Sequence, residues 1–396
     1  MKITPRYGIV LLVLLGVASI ASGSPGEIIE TRFDRSYSRA QVDDLLPVLF
    51  EDVASPDASY GVDAFLVDFE TTSLDGTRTP ATMQLFVPQL SGPETVPVYL
   101  FAPGSTGLVN ACRPSREHVI GVDWGRYRIH GLAHAARGTI VAIPDYMNFS
   151  VEDEIQPYFI SEAEARVVLD AARAVRDFAA TSAANAAPSD GVVLAGYSQG
   201  GHAVFAAADA RATYAPDVEI AGIVGYGPST NIENLFREWT VAAPLVTYAY
   251  ATFYGEEQFD PSLILADRWL ESLAHDATSQ CIGAIQRYYP TEPGPLYRPA
   301  FADALENGSL DEEYPEISRL MEANNAGLSG HGIPVLILAG TDDIVVYPES
   351  QTEFVNALRE RGSDVRYRVF DGVRHDTRQI GFEQAVSWTR DRALDR

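Results

Sequence analysis

The chain has 396 residues, enough for one large domain or two ordinary ones, and its 46% hydrophobic and 21% charged residues are those of a globular protein. Its 54 acidic against 29 basic side chains leave a net charge of −25. That charge argues against nucleic acid or an anionic membrane as a partner, since both would repel it, and it favours solubility.

Residues 1–23 read as an export signal. Lys2 and Arg6 precede the apolar run 8–20, and Ala21-Ser22-Gly23 offers small residues for cleavage. The run is short for a membrane span, which needs about 20 apolar residues, and an uncleaved anchor is the alternative. The expectation is a secreted or periplasmic protein. Residues 27–60 are mixed in character, with a helix expected over 38–53. Three β-rich runs follow, 65–74, 81–89 and 96–102, separated by the turn clusters "SLDGTRTP" and "LSGPETVP".

From there the rhythm alternates. A helical pattern at 126–137 precedes the strand "GTIVAIPD", and the Ala-rich helix "SEAEARVVLDAARAVRDFAATSA" precedes "GVVLAG". The helix "GGHAVFAAADARATYA" then precedes "EIAGIVGYG". Alternating helices with fully apolar strands predict a mostly parallel sheet covered on both faces, with the early runs as its antiparallel or mixed edge. "IPVLILAG" (333–340), a helix over 349–361 and "VRYRVF" (365–370) resume the pattern. Residues 228–330, rich in Tyr, Phe, Trp and Pro, break it. The expected organisation is therefore one α/β core over 24–227 and 331–396, with 228–330 inserted as a largely helical cap.

In "VVLAGYSQGGHAV" (192–204) an apolar strand runs into Gly196-Tyr197-Ser198-Gln199-Gly200, and a helix follows at once. A serine at such a strand–turn–helix elbow is a nucleophile candidate, because the tight turn exposes its hydroxyl and the flanking glycines make room for neighbouring chain. It needs a base and an orienting acid, placed after later strands in the order Ser, acid, His. "GTDDIVV" offers Asp342 and Asp343 as the acid. "VFDGVRHDT" places His375 after the last strand as the base. His130 and His134 stand four apart on a helix as metal ligands do, yet no third ligand is suggested and a surface or packing role is expected. His202 is too near Ser198 in sequence to act as its base, and His118, His275 and His331 lack the strand-end setting. An oxyanion hole would take one N–H from Gln199 and one from the Gly-rich loop "FAPGSTGLVNACRPS", where Ser105 is favoured over Thr106. Cys112 and Cys281 form a candidate disulfide, against the alternative of two buried thiols.

These residues resemble an α/β-hydrolase, and more narrowly the secretory lipase family that includes fungal lipase A enzymes. "PGSTGLVNACRPS" is similar to that family's H-G-T-x-G…C-A-P-S, "IPDY" (143–146) to its P-D-Y strand end, and "GYSQGG" and "GTDDIVV" match as well; the family's G-x-x-D, counted from Gly340, implies Asp343 as the acid, with Asp342 as the alternative. Pro103, Arg113 and Met147-Asn148 depart from the pattern. The resemblance implies acyl-ester hydrolysis without metal or organic cofactor. It leaves open a transient contact with a lipid interface, the acyl chain length and the oligomeric state. The same triad could serve a peptidase or amidase, and a non-catalytic hydrolase-fold binding protein is the reading from another class. The aromatic stretch "TVAAPLVTYAYATFYG" (240–255) could line an acyl pocket or pack the cap on the core.

Overall fold

The computed structural model describes residues 23–117, 124–181 and 185–394, so the expected signal peptide lies, apart from Gly23, outside the described residues. The described strands form one sheet: β1 (Ile28–Tyr37), β2 (Val62–Thr72), β3 (Arg78–Pro88), β4 (Glu94–Ala102), β5 (Ile140–Pro144), β6 (Ala186–Tyr197), β7 (Ile220–Tyr226), β8 (Val335–Gly340) and β9 (Val365–Phe370). Their spatial order is β1-β2-β3-β5-β4-β6-β7-β8-β9. The pairings from β1 to β3, and that of β3 with β5, are antiparallel, and all those from β5 across to β9 are parallel.

Two features differ from expectation. The run 96–102 is no edge strand: β4 lies inside the sheet between β5 and β6, and its residues from Val96 onward are buried. The segment 28–37, expected only as a lead-in to a helix, is the outermost strand, β1. Most of its side chains are exposed.

The helices before the insert are α1 (Arg39–Leu49), α2 (Tyr127–Ala135), α3 (Ser161–Thr181) and α4 (Gln199–Tyr214). A capping box starts α1: Gln41 N–H donates to Ser38 Oγ at 3.3 Å, and Ser38 N–H donates to Gln41 Oε1 at 2.9 Å. The insert holds α5 (Ile232–Glu238), α6 (Ala243–Tyr254), α7 (Pro261–Ile264), α8 (Asp267–Ser279), α9 (Ile282–Tyr288), α10 (Pro293–Leu296), α11 (Pro299–Asn307), α12 (Leu310–Glu313) and α13 (Pro315–Ala323). After it come α14 (Pro348–Glu360) and α15 (Phe382–Leu394), the latter not signalled by the sequence pattern.

Strand periodicity divides β6 between two cores. Val192 and Leu194 join Val167, Val204 and Val355 beneath α3, α4 and α14. Val193 and Ala195 face Leu132, Tyr226 and Trp388 on the side of α1, α2 and α15. A third apolar core joins residues of the insert such as Leu245, Phe301 and Leu320 to Leu108, Met147 and Phe159 outside it. No helix among the described residues is long and apolar enough to cross a membrane.

Candidate active site

From β4 the chain crosses to β5 on one side, and β6 then lies on β4's other side. Such a reversal opens a crevice at the carboxyl ends of the strands, where ligands of open α/β sheets bind. The loop after β4 and the turn after β6 flank this crevice, and they carry Ser105 and Ser198.

Ser198 joins β6 to α4 in a strained conformation, φ 54° and ψ −115°. The strain persists because neighbouring chain allows no other path. A Cβ at position 196 would stand 2.0 Å from the Gly200 carbonyl oxygen, and one at position 200 would stand 1.8 Å from that of Ala102. Both glycines are therefore steric requirements of the turn. Ser198 N–H donates to Tyr226 O at 3.1 Å, and Ser198 O accepts from Ser229 N–H at 3.2 Å. Gln199 is the first residue of α4, so its N–H has no intrahelical acceptor and lies at the positive end of the helix dipole.

Asp343 and His375 meet across the ends of β8 and β9. His375 Nδ1 lies 2.8 Å from Asp343 Oδ2. The other carboxylate oxygen accepts the N–H groups of Val345 (2.8 Å) and Val346 (3.0 Å), which fix the Asp343 side chain. A carboxylate so placed accepts Nδ1–H and leaves Nε2 with its lone pair. That nitrogen is buried without a hydrogen-bond partner among the described residues, so no Ser198–His375 hydrogen bond is formed. Asp342 is exposed, its N–H held by Val373 O at 2.9 Å and its carboxylate accepting from the Thr341 hydroxyl at 3.1 Å.

Ser105, Ser198 and His375 line one cavity of about 800 Å³. Tyr127, Tyr197 and Arg378 belong to its wall, and Trp239 and residues 279–284 of the insert face them. The aromatic stretch 240–255 supplies none of these lining residues. Val241, Leu245, Val246, Ala249 and Tyr250 are buried instead in an apolar core that the insert shares with Leu108, Met147 and residues 155–163, where the Tyr250 hydroxyl donates to Phe159 O at 2.8 Å. Cys112 and Cys281 are disulfide-bonded, with Cα atoms 5.5 Å apart. Beside that bond, Ile282 N–H donates to Thr106 O at 2.9 Å, and Gly107 pairs with Cys281 as an antiparallel bridge. The insert is thus fastened to the loop that carries Ser105.

The remaining histidines sit elsewhere. His130 and His134 are fully buried against Tyr99, and burial holds His134 down to about 3 and His130 well below its ordinary value. Neutral rings with these neighbours are packing groups, and no metal-ligand cluster occurs among the described residues. His202 is fully buried with Glu164 Oε2 at 2.6 Å and Asn324 O at 2.6 Å. His275 is exposed on α8, His331 is half-buried in a loop, and His118 lies outside the described residues.

Two wall contacts carried no sequence signal. The Arg378 guanidinium, 1% exposed, grips Asp376 through Nε (2.9 Å) and Nη2 (2.6 Å) and also donates to Gly125 O at 2.7 Å. Its carbon lies 4.6 Å from the Tyr197 ring centroid, and that ring packs 5.0 Å from His375. His375 therefore packs on one side against an aromatic ring that is itself backed by a buried cation. Ser105 Oγ and the buried Tyr158 hydroxyl share a hydrogen bond at 2.5 Å. Gly125, Tyr197 and Arg378 in the first contact, and Ser105 and Tyr158 in the second, come from distant elements, and spacing does not reveal them.

The chain is similar in structure to the rice cell wall degrading esterase LipA from Xanthomonas oryzae, with a TM-score of 0.76 at 18% identity over 94% of this chain and 99% of that one. It is also similar to a putative hydrolase from Legionella pneumophila (TM-score 0.74, 17% identity, 92% and 98% covered). Candida antarctica lipase A matches with a TM-score of 0.65 at 17% identity, over 94% of this chain and 84% of that chain. No match is found among curated protein sequences. At such identities the structural neighbours speak for the fold. The secretory lipase family model matches residues 128–395, more than half of the sequence. With the crevice, the elbow and this match together, the chain belongs to the secretory lipase family and has the α/β-hydrolase fold.

Proposed function

We propose that this protein is an exported serine carboxylic-ester hydrolase that works through an acyl-enzyme on Ser198. The observation that carries the reading is the Asp343–His375 hydrogen bond of 2.8 Å, with Nε2 left unpaired on the cavity that Ser198 also lines. His375 takes the hydroxyl proton as Ser198 Oγ attacks the ester carbonyl, and Asp343 stabilises the imidazolium that results. The N–H groups of Gln199 and Ser105 receive the developing oxyanion. Collapse expels the alcohol, which leaves with the proton from His375. Water then repeats the sequence, releasing the acid and restoring Ser198.

In this reading 1–23 is removed on export, 24–227 and 331–396 form the hydrolase core, and 228–330 caps the crevice. The Cys112–Cys281 disulfide suits an oxidising compartment outside the cytosol. The test is hydrolysis of p-nitrophenyl esters from acetyl to palmitoyl by the parent and Ser198→Ala. Ester cleavage lost in the variant is expected, and the chain length at the optimum separates a small-ester esterase from a lipase. A folded parent that cleaves amides and no ester would overturn the reading in favour of an amidase.

A further inference from the structure

The two backbone donors assigned to the oxyanion belong to different loops, one after β4 and one after β6. A donor is effective only when it stands about 2.7–3.1 Å from the place the oxyanion will occupy, so the spacing between the loops must be held. The segment 155–158, between β5 and α3, lies against both.

Its contacts form a directed chain. Gln156 is fully buried, and its backbone N–H donates to Leu108 O at 2.9 Å. Its side-chain Nε2 donates to the carbonyl of Gly107, two residues beyond Ser105. A carbonyl can only accept, so the amide orientation is fixed and Oε1 points the other way. There it accepts from Gln199 Nε2 at 3.0 Å. The same Gln199 nitrogen donates to Glu164 Oε1 at 2.8 Å, an oxygen that also accepts from Phe159 N–H at 3.1 Å. Every partner in the relay is fixed: Gln199 donates to Gln156, and Gln156 donates to Gly107. Two residues further on, the Tyr158 hydroxyl holds Ser105 Oγ at 2.5 Å.

We propose that Gln156 is a positioning residue of the oxyanion hole, its buried amide linking the Gln199 side chain to the Gly107 carbonyl and so setting the distance between the two loops. Tyr158 completes the same clamp from the Ser105 side. The inference rests on the reading that the Ser105 and Gln199 N–H groups receive the oxyanion. Gln156 itself touches no reacting atom.

Gln156→Met keeps the side-chain length and removes both amide links, leaving the Gly107 carbonyl and the Gln199 amide each short of a partner. The expected effect is a fall in kcat of about 10- to 100-fold, short of the roughly 10²–10³-fold loss on deleting a donor, with KM changed by less than about threefold. The decisive readout is a trifluoromethyl ketone, whose adduct with Ser198 places an oxyanion where the ester intermediate would. Its affinity should fall in step with kcat. Binding of the corresponding methyl carbinol, which develops no oxyanion, should not change. Unchanged kcat in folded Gln156→Met overturns the proposal, as does a loss of activity with ketone affinity intact. Should Gln156→Met fail to fold, Tyr158→Phe decides: a three- to tenfold fall in kcat with parallel loss of ketone affinity supports the clamp, and parental values refute it. Ester hydrolysis by the parent, abolished in Ser198→Ala, shows separately whether the underlying reading stands.

Discussion

Removing the Cys112–Cys281 bond tests how far the insert depends on its fastening. The two cysteines are 169 residues apart in sequence. In the chain-entropy model a closed loop of that size removes about 17 cal/mol/K from the denatured ensemble, about 5 kcal/mol at 25 °C. A domain of this size has an unfolding entropy near 0.8 kcal/mol/K, so Cys112→Ala/Cys281→Ala should melt about 6 °C below the parent. The assay is a thermal melt of parent and double variant by circular dichroism, with a third sample of parent in dithiothreitol whose thiols are titrated to prove reduction. Ester hydrolysis at 25 °C should largely survive, because Ile282 N–H still donates to Thr106 O and Gly107 still pairs with Cys281. A variant melting within 2 °C of the parent would refute the entropic argument. One that folds and melts normally but loses turnover would show instead that the bond shapes the cavity wall.

Other outcomes follow from the geometry. Asp343→Asn should fold like the parent yet lose on the order of 10³- to 10⁴-fold in kcat, since an amide cannot hold His375 in the tautomer that the carboxylate selects. Asp342→Asn, on an exposed side chain, should leave the rate unchanged in the same assay. Gly200→Ala should give no soluble enzyme, because its Cβ would fall 1.8 Å from the Ala102 carbonyl; soluble yield and activity measure this. His134→Phe keeps the ring stacked 4.2 Å from Tyr99 and removes a buried base held down to about 3. Folded His134 resists a proton that the unfolded chain accepts from about pH 6.5 downward, so its contribution is complete above that pH and is lost progressively towards pH 3. Relative to the parent, the variant should gain about 2 kcal/mol between pH 8 and pH 5. Melts of both proteins at the two pH values test this, and a difference that does not change with pH would sink it.

What the sequence disclosed was governed by local rules. The elbow was legible because strand, glycines and helix are contiguous, and β5, β7 and β8 were legible because burial on both faces leaves unbroken apolar runs. β1 gave no such signal: "IIETRFDRSY" is an edge strand with most side chains in water, so no period of two is imposed on it. The place of β4 inside the sheet is a matter of strand order, which local periodicity does not encode. The stretch 240–255 was ambiguous for a different reason. An apolar helix inside a helical insert and one beneath a pocket have the same composition, and only the surrounding helices decide between them. Asp343 was selected by its distance from a strand end, whereas Gln156, Tyr158 and Arg378 act through partners from other elements.

The strand order also has a consequence in time. Ser198 follows the sixth strand, while Asp343 and His375 follow the eighth and ninth, beyond an insert that must be synthesised first. A chain emerging from the ribosome or a translocon therefore displays the proposed nucleophile long before it possesses either the proposed base or the proposed acid. Parallel β7–β8 pairing must wait for that long segment to close, a slow and non-local step. On the proposed mechanism, catalytic competence is thus a property of the finished molecule, and the onset of ester cleavage during refolding would time the docking of its last strands.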